Sequence, residues 1–94
     1  MAASELKGVR TQFVERVSKA VMDQLLDYLE DERVLITAEV EEIKEEHRQR
    51  AEKARHIIDA VLRKGDAACD KFLTSFQTID GTLYNELQLR PRPV

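Results

Sequence analysis

Apolar residues recur at intervals of three and four along nearly the whole chain, and no segment alternates strictly between apolar and polar residues. Such spacing places apolar side chains on one face of a helix, whereas strict alternation would indicate a strand. In the clearest segment the apolar positions are Ala51, Ala54, Ile57, Ile58, Val61 and Leu62. The chain is therefore predicted to be all-α, and its 94 residues suit one domain with a single core.

Capping residues divide this pattern into six short helices. Ser18, Thr37 and Asp66 are each placed to cap the start of a helix, because a short polar side chain accepts hydrogen bonds from backbone N–H groups there. Gly65 occupies the place of a left-handed C-terminal cap, and the Asp-Gly pair at residues 80 and 81 indicates a turn before the last helix. Six helices joined by short loops predict a compact helical bundle.

Two segments near the ends of the chain depart from regular helix. Gly8 lies within the apolar face of the first helix and costs about 1 kcal/mol relative to alanine, so we expect that helix to be kinked or broken there. Residues 90–94 read Arg-Pro-Arg-Pro-Val, which cannot continue a helix. We therefore predict one domain over residues 1–89, followed by a tail or the start of a linker at residues 90–94.

Charge is distributed unevenly along the chain. Residues 1–47 hold 6 basic and 12 acidic residues, a net charge of −6, whereas residues 48–94 hold 9 basic and 6 acidic residues, a net charge of +3. Such a division is compatible with an ordinary solvated surface. It is equally compatible with a domain whose acidic face meets the basic face of another copy, which is a head-to-tail contact that can propagate.

Residues that could carry catalysis or bind a metal are few. Cys69 lies on the predicted core face of the fifth helix, where a small apolar side chain is the ordinary occupant, and no glycine-rich oxyanion loop accompanies it. His47 and His56 are nine residues apart, with no cysteine or acid at the spacing of zinc ligands. We therefore expect no catalysis, no metal and no cofactor.

Composition also limits the partners and the compartment. The net charge of −3 argues against non-specific binding of nucleic acid, and the basic stretch at residues 48–64 has no aromatic side chain on which bases could stack. No uncharged apolar run approaches the roughly 18–20 residues of a membrane span. A single cysteine suits a reducing compartment. The expectation is a cytoplasmic domain that binds neither nucleic acid nor membrane.

An ordered set of short strings resembles a known family over residues 1–89. The strings are Leu25-Leu26-Asp27, Arg33-Val34-Leu35, Lys53-Ala54-Arg55, Ile58-Asp59, Lys64-Gly65 and Ala68-Cys69. Together they resemble the caspase recruitment domain, or CARD, most closely that of caspase-1-like proteases and their CARD-only relatives. No single string is chemically diagnostic, but their order along the chain is specific.

The resemblance implies a six-helix antiparallel Greek-key bundle of the death-fold class, which binds other CARDs and carries no catalysis. It also implies a contact between a basic surface on the first and fourth helices and an acidic surface on the second and third. Arg10 and Arg55 match the basic surface, and Asp27 and Glu39 match the acidic one. By their positions, we expect several neighbours to extend these surfaces. They are Lys53 with Arg48 or Arg50 on the basic side, and Glu30, Asp31 and Glu42 on the acidic side.

By the same resemblance, the chain would cluster a caspase-1-like protease with an inflammasome adaptor or sensor in filaments, and proximity would activate the protease. Glu45 departs from the family pattern, which has a base there, so the resemblance assigns no particular adaptor. Three alternatives stay open. The chain could itself be the CARD of an innate immune sensor or adaptor. A CARD-only decoy would cap filaments instead, and a structural homodimer would form a closed, salt-insensitive apolar interface.

Overall fold

The computed structural model describes residues 1–45 and 49–92, and all regular secondary structure in these ranges is helical. The helices are α1 (Ala2–Arg16), α2 (Lys19–Asp31), α3 (Thr37–Glu45), α4 (Arg50–Arg63), α5 (Asp66–Ile79) and α6 (Gly81–Glu86). The prediction of an all-α bundle of six helices is confirmed. The Cα radius of gyration is 11.9 Å, close to the value expected for a compact domain of this length.

Two of the predicted helix starts are confirmed at the atomic level. The Ser18 hydroxyl accepts a hydrogen bond from the Val21 N–H at 3.1 Å, and the Asp80 carboxylate accepts one from the Leu83 N–H at 3.1 Å. Each cap satisfies a backbone donor that the first turn of the helix leaves unpaired. Gly65, predicted to follow the end of α4, has a φ of 101°. Glycine adopts such a positive φ more readily than other residues do.

The other two predicted caps are wrong by one residue. Thr37 is the first residue of α3 rather than its cap, and the cap position belongs to Ile36, whose N–H donates to the Glu39 carboxylate at 2.9 Å. Asp66 is likewise the first residue of α5, and its carboxylate accepts a hydrogen bond from the Ala3 N–H at 2.9 Å. Both polar side chains make tertiary contacts instead of capping their helices. The local sequence pattern does not show such contacts.

The break expected at Gly8 is not present, because α1 continues without interruption from Ala2 to Arg16, and the alternative of a kink stays a prediction. Gly8 is exposed, so its missing side chain removes no contact from the core. Leu6 and Phe13 on the other side of the helix are fully buried. Their packing compensates for the low helix propensity of glycine, as tertiary contacts commonly do.

The core is organised around α5, which packs against α1, α2, α4 and α6. Four buried aromatic rings form its centre. Phe13 meets Phe72 and Phe76 edge to face at centroid distances of 5.4 and 5.3 Å, and Phe76 meets Tyr84 at 5.7 Å. Edge-to-face contacts of this kind stabilise beyond the burial of apolar area alone. They fix α1, α5 and α6 relative to one another.

Two helices end in residues other than glycine with left-handed backbone conformation. Arg33 follows α2 and Gln88 follows α6, and both have φ of 59°. In each case the left-handed residue turns the chain so that a later N–H group donates to a carbonyl of the helix. The Val34 N–H donates to the Leu29 carbonyl at 2.9 Å, and the Leu89 N–H donates to the Tyr84 carbonyl at 3.4 Å. The left-handed conformation costs an L-residue about 1–2 kcal/mol, so glycine would be the more stable choice at both positions.

Residues 90–92 lie against the bundle. The Tyr84 hydroxyl donates to the Arg90 carbonyl at 2.5 Å. The Gln77 side chain donates to the Arg92 carbonyl at 3.2 Å and accepts from the Arg92 N–H at 2.8 Å. The Arg92 guanidinium lies 2.7 Å from Glu5 on α1 and 2.5 Å from Asp70 on α5. This short segment therefore bridges α1, α5 and α6.

Candidate protein-interaction surfaces

The predicted basic residues lie on two helices that pack against each other, α1 and α4. We call Arg10, Lys53 and Arg55 the basic face. Arg55 is exposed, and it forms no ion pair with any residue in the described ranges. Lys53 is half-buried beside it on α4. Arg55 is thus the member of the basic face whose charge is most available to a partner.

Arg10 is already paired within the domain. Its guanidinium binds the Asp59 carboxylate through two parallel hydrogen bonds of 2.8 and 2.9 Å. This pairing lowers the pKa of Asp59, chiefly through the hydrogen bond from Arg10, and raises the pKa of Arg10. Sequence reasoning missed Asp59 as a partner, because the two residues are 49 positions apart and only the packing of α1 on α4 brings them together.

Charges of both signs line the surface around Arg55. A shallow cavity of about 400 Å³ runs along α4, and its lining includes Arg55, Arg63, Glu52 and Asp59. The two acids interleave with the two bases, so the field of the basic face is weaker than the bases alone would produce. Asp59 lies one helical turn beyond Arg55 and is bound by Arg10, which places Arg10 and Arg55 on one continuous surface.

Arg50, one of the two expected extensions of the basic face, is exposed, and its guanidinium also binds the end of α1. One of its guanidinium nitrogens donates to the carbonyls of Val14 and Val17 at 2.7 and 2.9 Å, and the other donates to the Glu15 carbonyl at 3.2 Å. These carbonyls belong to the C-terminal end of α1, where a cation also complements the helix dipole. The alternative extension, Arg48, lies outside the described residues, as does His47.

The predicted acidic residues lie on α2 and α3, which also pack against each other. The acidic face comprises Asp27, Glu30, Asp31, Glu39 and Glu42. Asp27 is 69% exposed and lies 3.1 Å from the ammonium of Lys44, which is itself 43% exposed. Exposed pairs of this kind contribute only about 0–1 kcal/mol, so Asp27 can exchange Lys44 for another cation at little cost.

Glu30 and Glu39 are more firmly engaged than Asp27. The Thr37 hydroxyl donates to the Glu30 carboxylate at 2.8 Å. Glu39 accepts from the Ile36 N–H and lies 3.1 Å from the Lys64 ammonium. The backbone hydrogen bond from Ile36 is the larger cause, and Lys64 the next, of a lowered pKa at Glu39. Glu39 therefore supports its own fold in addition to any role at an interface.

Asp31 and Glu42 complete the acidic face without such ties. Both are exposed, and neither forms an ion pair with a residue in the part of the chain that the structure describes. The structure thus divides the acidic face into available charges, Asp27, Asp31 and Glu42, and charges used within the domain, Glu30 and Glu39. That division depends on side-chain neighbours that sequence position alone does not identify.

The single thiol belongs to the core, as its place on α5 predicted. Cys69 is fully buried, and burial raises the pKa of its thiol, which disfavours the reactive thiolate. Among residues 1–45 and 49–92, no three His, Cys, Asp or Glu side chains are grouped as metal ligands would be. Every helix in those ranges is too short or too polar to cross a bilayer.

Replacing Glu39 by glutamine should destabilise the domain in a pH-dependent manner. The folded pKa of Glu39 is depressed, so its contribution is fully present above the ordinary value of about 4.3 and is lost as pH falls through the folded pKa. We expect Glu39→Gln to lower the free energy of unfolding by about 1 kcal/mol at pH 7 and by almost nothing near pH 2–3. Urea denaturation at the two pH values measures this difference.

Glu42→Gln is the matched control for that measurement. Glu42 is exposed on the same helix, and no ion pair holds it within the described ranges. Its substitution should leave the unfolding free energy unchanged at both pH values. An equal loss for Glu39→Gln at pH 7 and at pH 3 would contradict the role given to its charge.

A six-helix bundle with a sealed thiol and exposed charged faces of both signs defines a helical protein-interaction domain. Comparison with known proteins narrows this class. The family model "Caspase recruitment domain" matches residues 3–90, so this chain belongs to the CARD family. It is a non-catalytic interaction module.

The relatives include both proteases and small CARD proteins. The chain is 40% identical over 93 residues to feline caspase-1 (Felis catus), covering 99% of this chain and 23% of that protein. It is 37% identical over 93 residues to the human putative caspase recruitment domain-containing protein 17P, covering 99% of this chain and 84% of that protein. The chain thus spans about a quarter of the length of the caspase-1 relatives and most of the length of the small one.

A solved structure has a similar fold. The solution structure of ICEBERG, an inhibitor of interleukin-1β generation, superimposes with a TM-score of 0.82 at 28% identity, covering 90% of this chain and 96% of that chain. ICEBERG is a death-fold domain, so the predicted death-fold bundle is confirmed.

Proposed function

We propose that this chain is a homotypic CARD–CARD module that recruits a caspase-1-like protease and clusters it in inflammasome-type filaments in the cytoplasm. Its partners in this role are other CARDs, including further copies of itself, and it binds neither nucleic acid nor membrane. Clustering activates the protease by mass action, because tethering raises the effective concentration of attached domains to roughly the millimolar range.

The observation that carries this proposal is the availability of one charge on each face. Arg55 has no ion-pair partner in the described ranges, and Asp27 is 69% exposed with only an exposed lysine beside it. A contact that places Arg55 of one copy against Asp27 of the next leaves one unused face on each end copy, so it can repeat, and it builds a filament when the rotation between copies does not close into a ring. Asp31 and Glu42 lie on the acidic side and Arg10 and Lys53 on the basic side, where they would steer the approach.

An ion pair that is buried between two copies contributes more to the binding free energy than the same pair does when it is exposed. An exposed ion pair contributes about 0–1 kcal/mol, whereas truncating one partner of a desolvated, hydrogen-bonded pair costs about 2–5 kcal/mol. The competing contact of Asp27 with Lys44 is exposed and therefore weak. Salt should oppose assembly, because the Debye length falls from about 8 Å at 0.15 M to about 3 Å at 1 M ionic strength.

Charge reversal at these two positions tests the proposal. We expect the wild type to form filaments that dissociate at high salt, and Asp27→Arg or Arg55→Glu to abolish them, because each reversal replaces an attraction with a repulsion. Combining the two reversals should restore part of the assembly. Light scattering and negative-stain imaging across a salt series measure this, and circular dichroism confirms that each variant is folded.

Two variants of equal charge change serve as controls. Lys7→Glu matches Arg55→Glu and Glu15→Arg matches Asp27→Arg, and both alter exposed side chains of α1 that no ion pair engages in the described ranges. Neither should change assembly at a given salt concentration. If the controls disrupt assembly as strongly as the reversals do, the effect comes from net charge alone. That result would overturn the proposed contact.

A second candidate function is favoured by the small relatives. The likeness to protein 17P over 84% of its length, and to ICEBERG, an inhibitor of interleukin-1β generation, suits a CARD-only decoy that caps filaments. Such a decoy would shorten filaments of a caspase-1 CARD when added below equimolar amounts, whereas a recruiting module would extend them. A wild type that stays monomeric alone and shortens those filaments would favour the decoy.

A further inference from the structure

A second cavity borders the acidic face, and its lining contains three cationic side chains. It has a volume of about 290 Å³ and is formed where the connection from α2 to α3 meets the end of α4 and the first turns of α5. Arg33, Lys64 and Lys71 line it from these three elements, and Glu32 is the single acid among the lining residues. Unlike the cavity beside Arg55, this one has an excess of positive charge.

The neighbouring groups neutralise one of these cations, Lys64, through its ion pair with Glu39, and leave the charges of Arg33 and Lys71 in place. Lys71 donates a long hydrogen bond of 3.5 Å to the Glu32 backbone carbonyl, which does not neutralise its charge. Lys64 shares the Glu39 carboxylate with the Ile36 N–H. Arg33 is exposed and forms no ion pair with any residue that the structure describes.

Asp66 lies at the start of α5, near the lining residues that this helix supplies. Its carboxylate accepts a hydrogen bond from the Ala3 N–H of α1. It is therefore engaged with α1 rather than with the cations of the cavity. The three cations converge on a concave surface with no carboxylate bridging them across it in the described ranges.

The backbone at Arg33 adds an observation independent of the charges. Arg33 ends α2 in the left-handed conformation, with φ of 59°, where glycine would be more stable. The same conformation occurs at Gln88 after α6, which lines none of the cavities described here. A strained residue whose side chain lines a cavity points to a use for that side chain, because strain persists where function requires it.

We propose that this cavity is a binding site for a small anion that carries phosphate groups. An arginine and two lysines supply charge-assisted hydrogen bonds to phosphate oxygens, with the guanidinium presenting its planar fork and the ammonium groups acting as compact charges. The volume suits a phosphate or pyrophosphate unit rather than a large ligand. The site adjoins the acidic face through the Lys64–Glu39 ion pair, but the proposal does not rest on the CARD–CARD contact.

Titration with pyrophosphate and with inorganic phosphate, in a buffer free of other multivalent anions, tests this site. Calorimetry should detect binding, tighter for pyrophosphate, and the amide NMR signals that shift most should be those of residues 33–34 and 67–71. Arg33→Gly should weaken pyrophosphate binding at least tenfold while raising the melting temperature, because it relieves the left-handed strain. Lys71→Gln should weaken binding by a similar factor with little change in melting temperature.

Gln88→Gly is the matched control, since it relieves the same backbone conformation at a distance from the cavity. It should also raise the melting temperature but leave the affinity for pyrophosphate unchanged. Absence of binding to the wild type, or equal affinity in Arg33→Gly and the wild type, would overturn the proposal. Co-sedimentation with phosphatidate-containing phosphatidylcholine vesicles without binding to free pyrophosphate would also overturn it, because the ligand would then be a membrane surface.

Discussion

Phe13→Ala should reduce the free energy of unfolding by about 3–5 kcal/mol, a large fraction of the roughly 5–15 kcal/mol that holds a domain of this kind together. Phe13 is fully buried, and its ring meets Phe72 and Phe76 edge to face. The substitution removes the ring and leaves a cavity between α1 and α5 that close-packed neighbours fill only in part. Urea denaturation followed by circular dichroism measures the loss.

Ile36→Ala is the control for that substitution. Ile36 is a large apolar residue that is 62% exposed, so truncating it should change the unfolding free energy by less than about 0.5 kcal/mol. Phe13→Leu should fall between the two, because leucine refills part of the volume. A loss below about 1 kcal/mol for Phe13→Ala would mean that the aromatic cluster does not organise the core as described.

Phe13 also illustrates what sequence alone can predict. Its place on the inner face of α1 follows from the spacing with Leu6, Val9 and Val17, which are all buried. The caps at Ser18 and Asp80 are equally local, because donor and acceptor are three residues apart. Helix existence and the inward faces were therefore predictable, since both depend on interactions within a few residues.

Features that depend on tertiary packing were not predictable. Arg10 pairs with Asp59 across the α1–α4 interface, and the exposed Arg50 donates to the carbonyls at the end of α1. Asp66 bonds to Ala3 instead of capping its own helix. The spacing of charged residues in the sequence does not indicate which residue each one pairs with. Only the folded bundle therefore distinguishes a charge that is available to a partner from one that is paired within the domain.

This distinction has a consequence for the proposed contact. Substituting Arg10 or Glu39 would disturb ion pairs within the domain as well as any interface, so loss of assembly in such variants would have two explanations. Arg55 and Asp27 carry little of that ambiguity, because the first has no ion-pair partner in the described ranges and the second has an exposed one. They are the sharper probes of CARD–CARD binding.

Removing residues 90–94 should destabilise the domain even though these residues follow the last helix. Residues 90–92 supply the acceptor for the Tyr84 hydroxyl, two hydrogen bonds to Gln77, and the guanidinium that bridges Glu5 and Asp70. Each charge-assisted bond contributes about 1.5–3 kcal/mol and each neutral one about 1 kcal/mol, and ordering three residues costs about 1–2 kcal/mol apiece. The net loss should be about 2–4 kcal/mol.

Comparing chains 1–89 and 1–94 by thermal denaturation measures this loss, at about 4–8 °C per kcal/mol for a domain of this size. Arg92→Ala should reproduce much of it, because the Arg92 side chain is only 14% exposed and binds two carboxylates, which the substitution leaves without their partner. Arg90→Ala is the matched control, since Arg90 is exposed and bonds to Tyr84 through its backbone carbonyl. Equal melting temperatures for the two chains would mean that the bundle ends at Leu89. A lower melting temperature for the shorter chain and for Arg92→Ala, with none for Arg90→Ala, would extend the folded domain at least to Arg92, where the bridge between α1 and α5 is made.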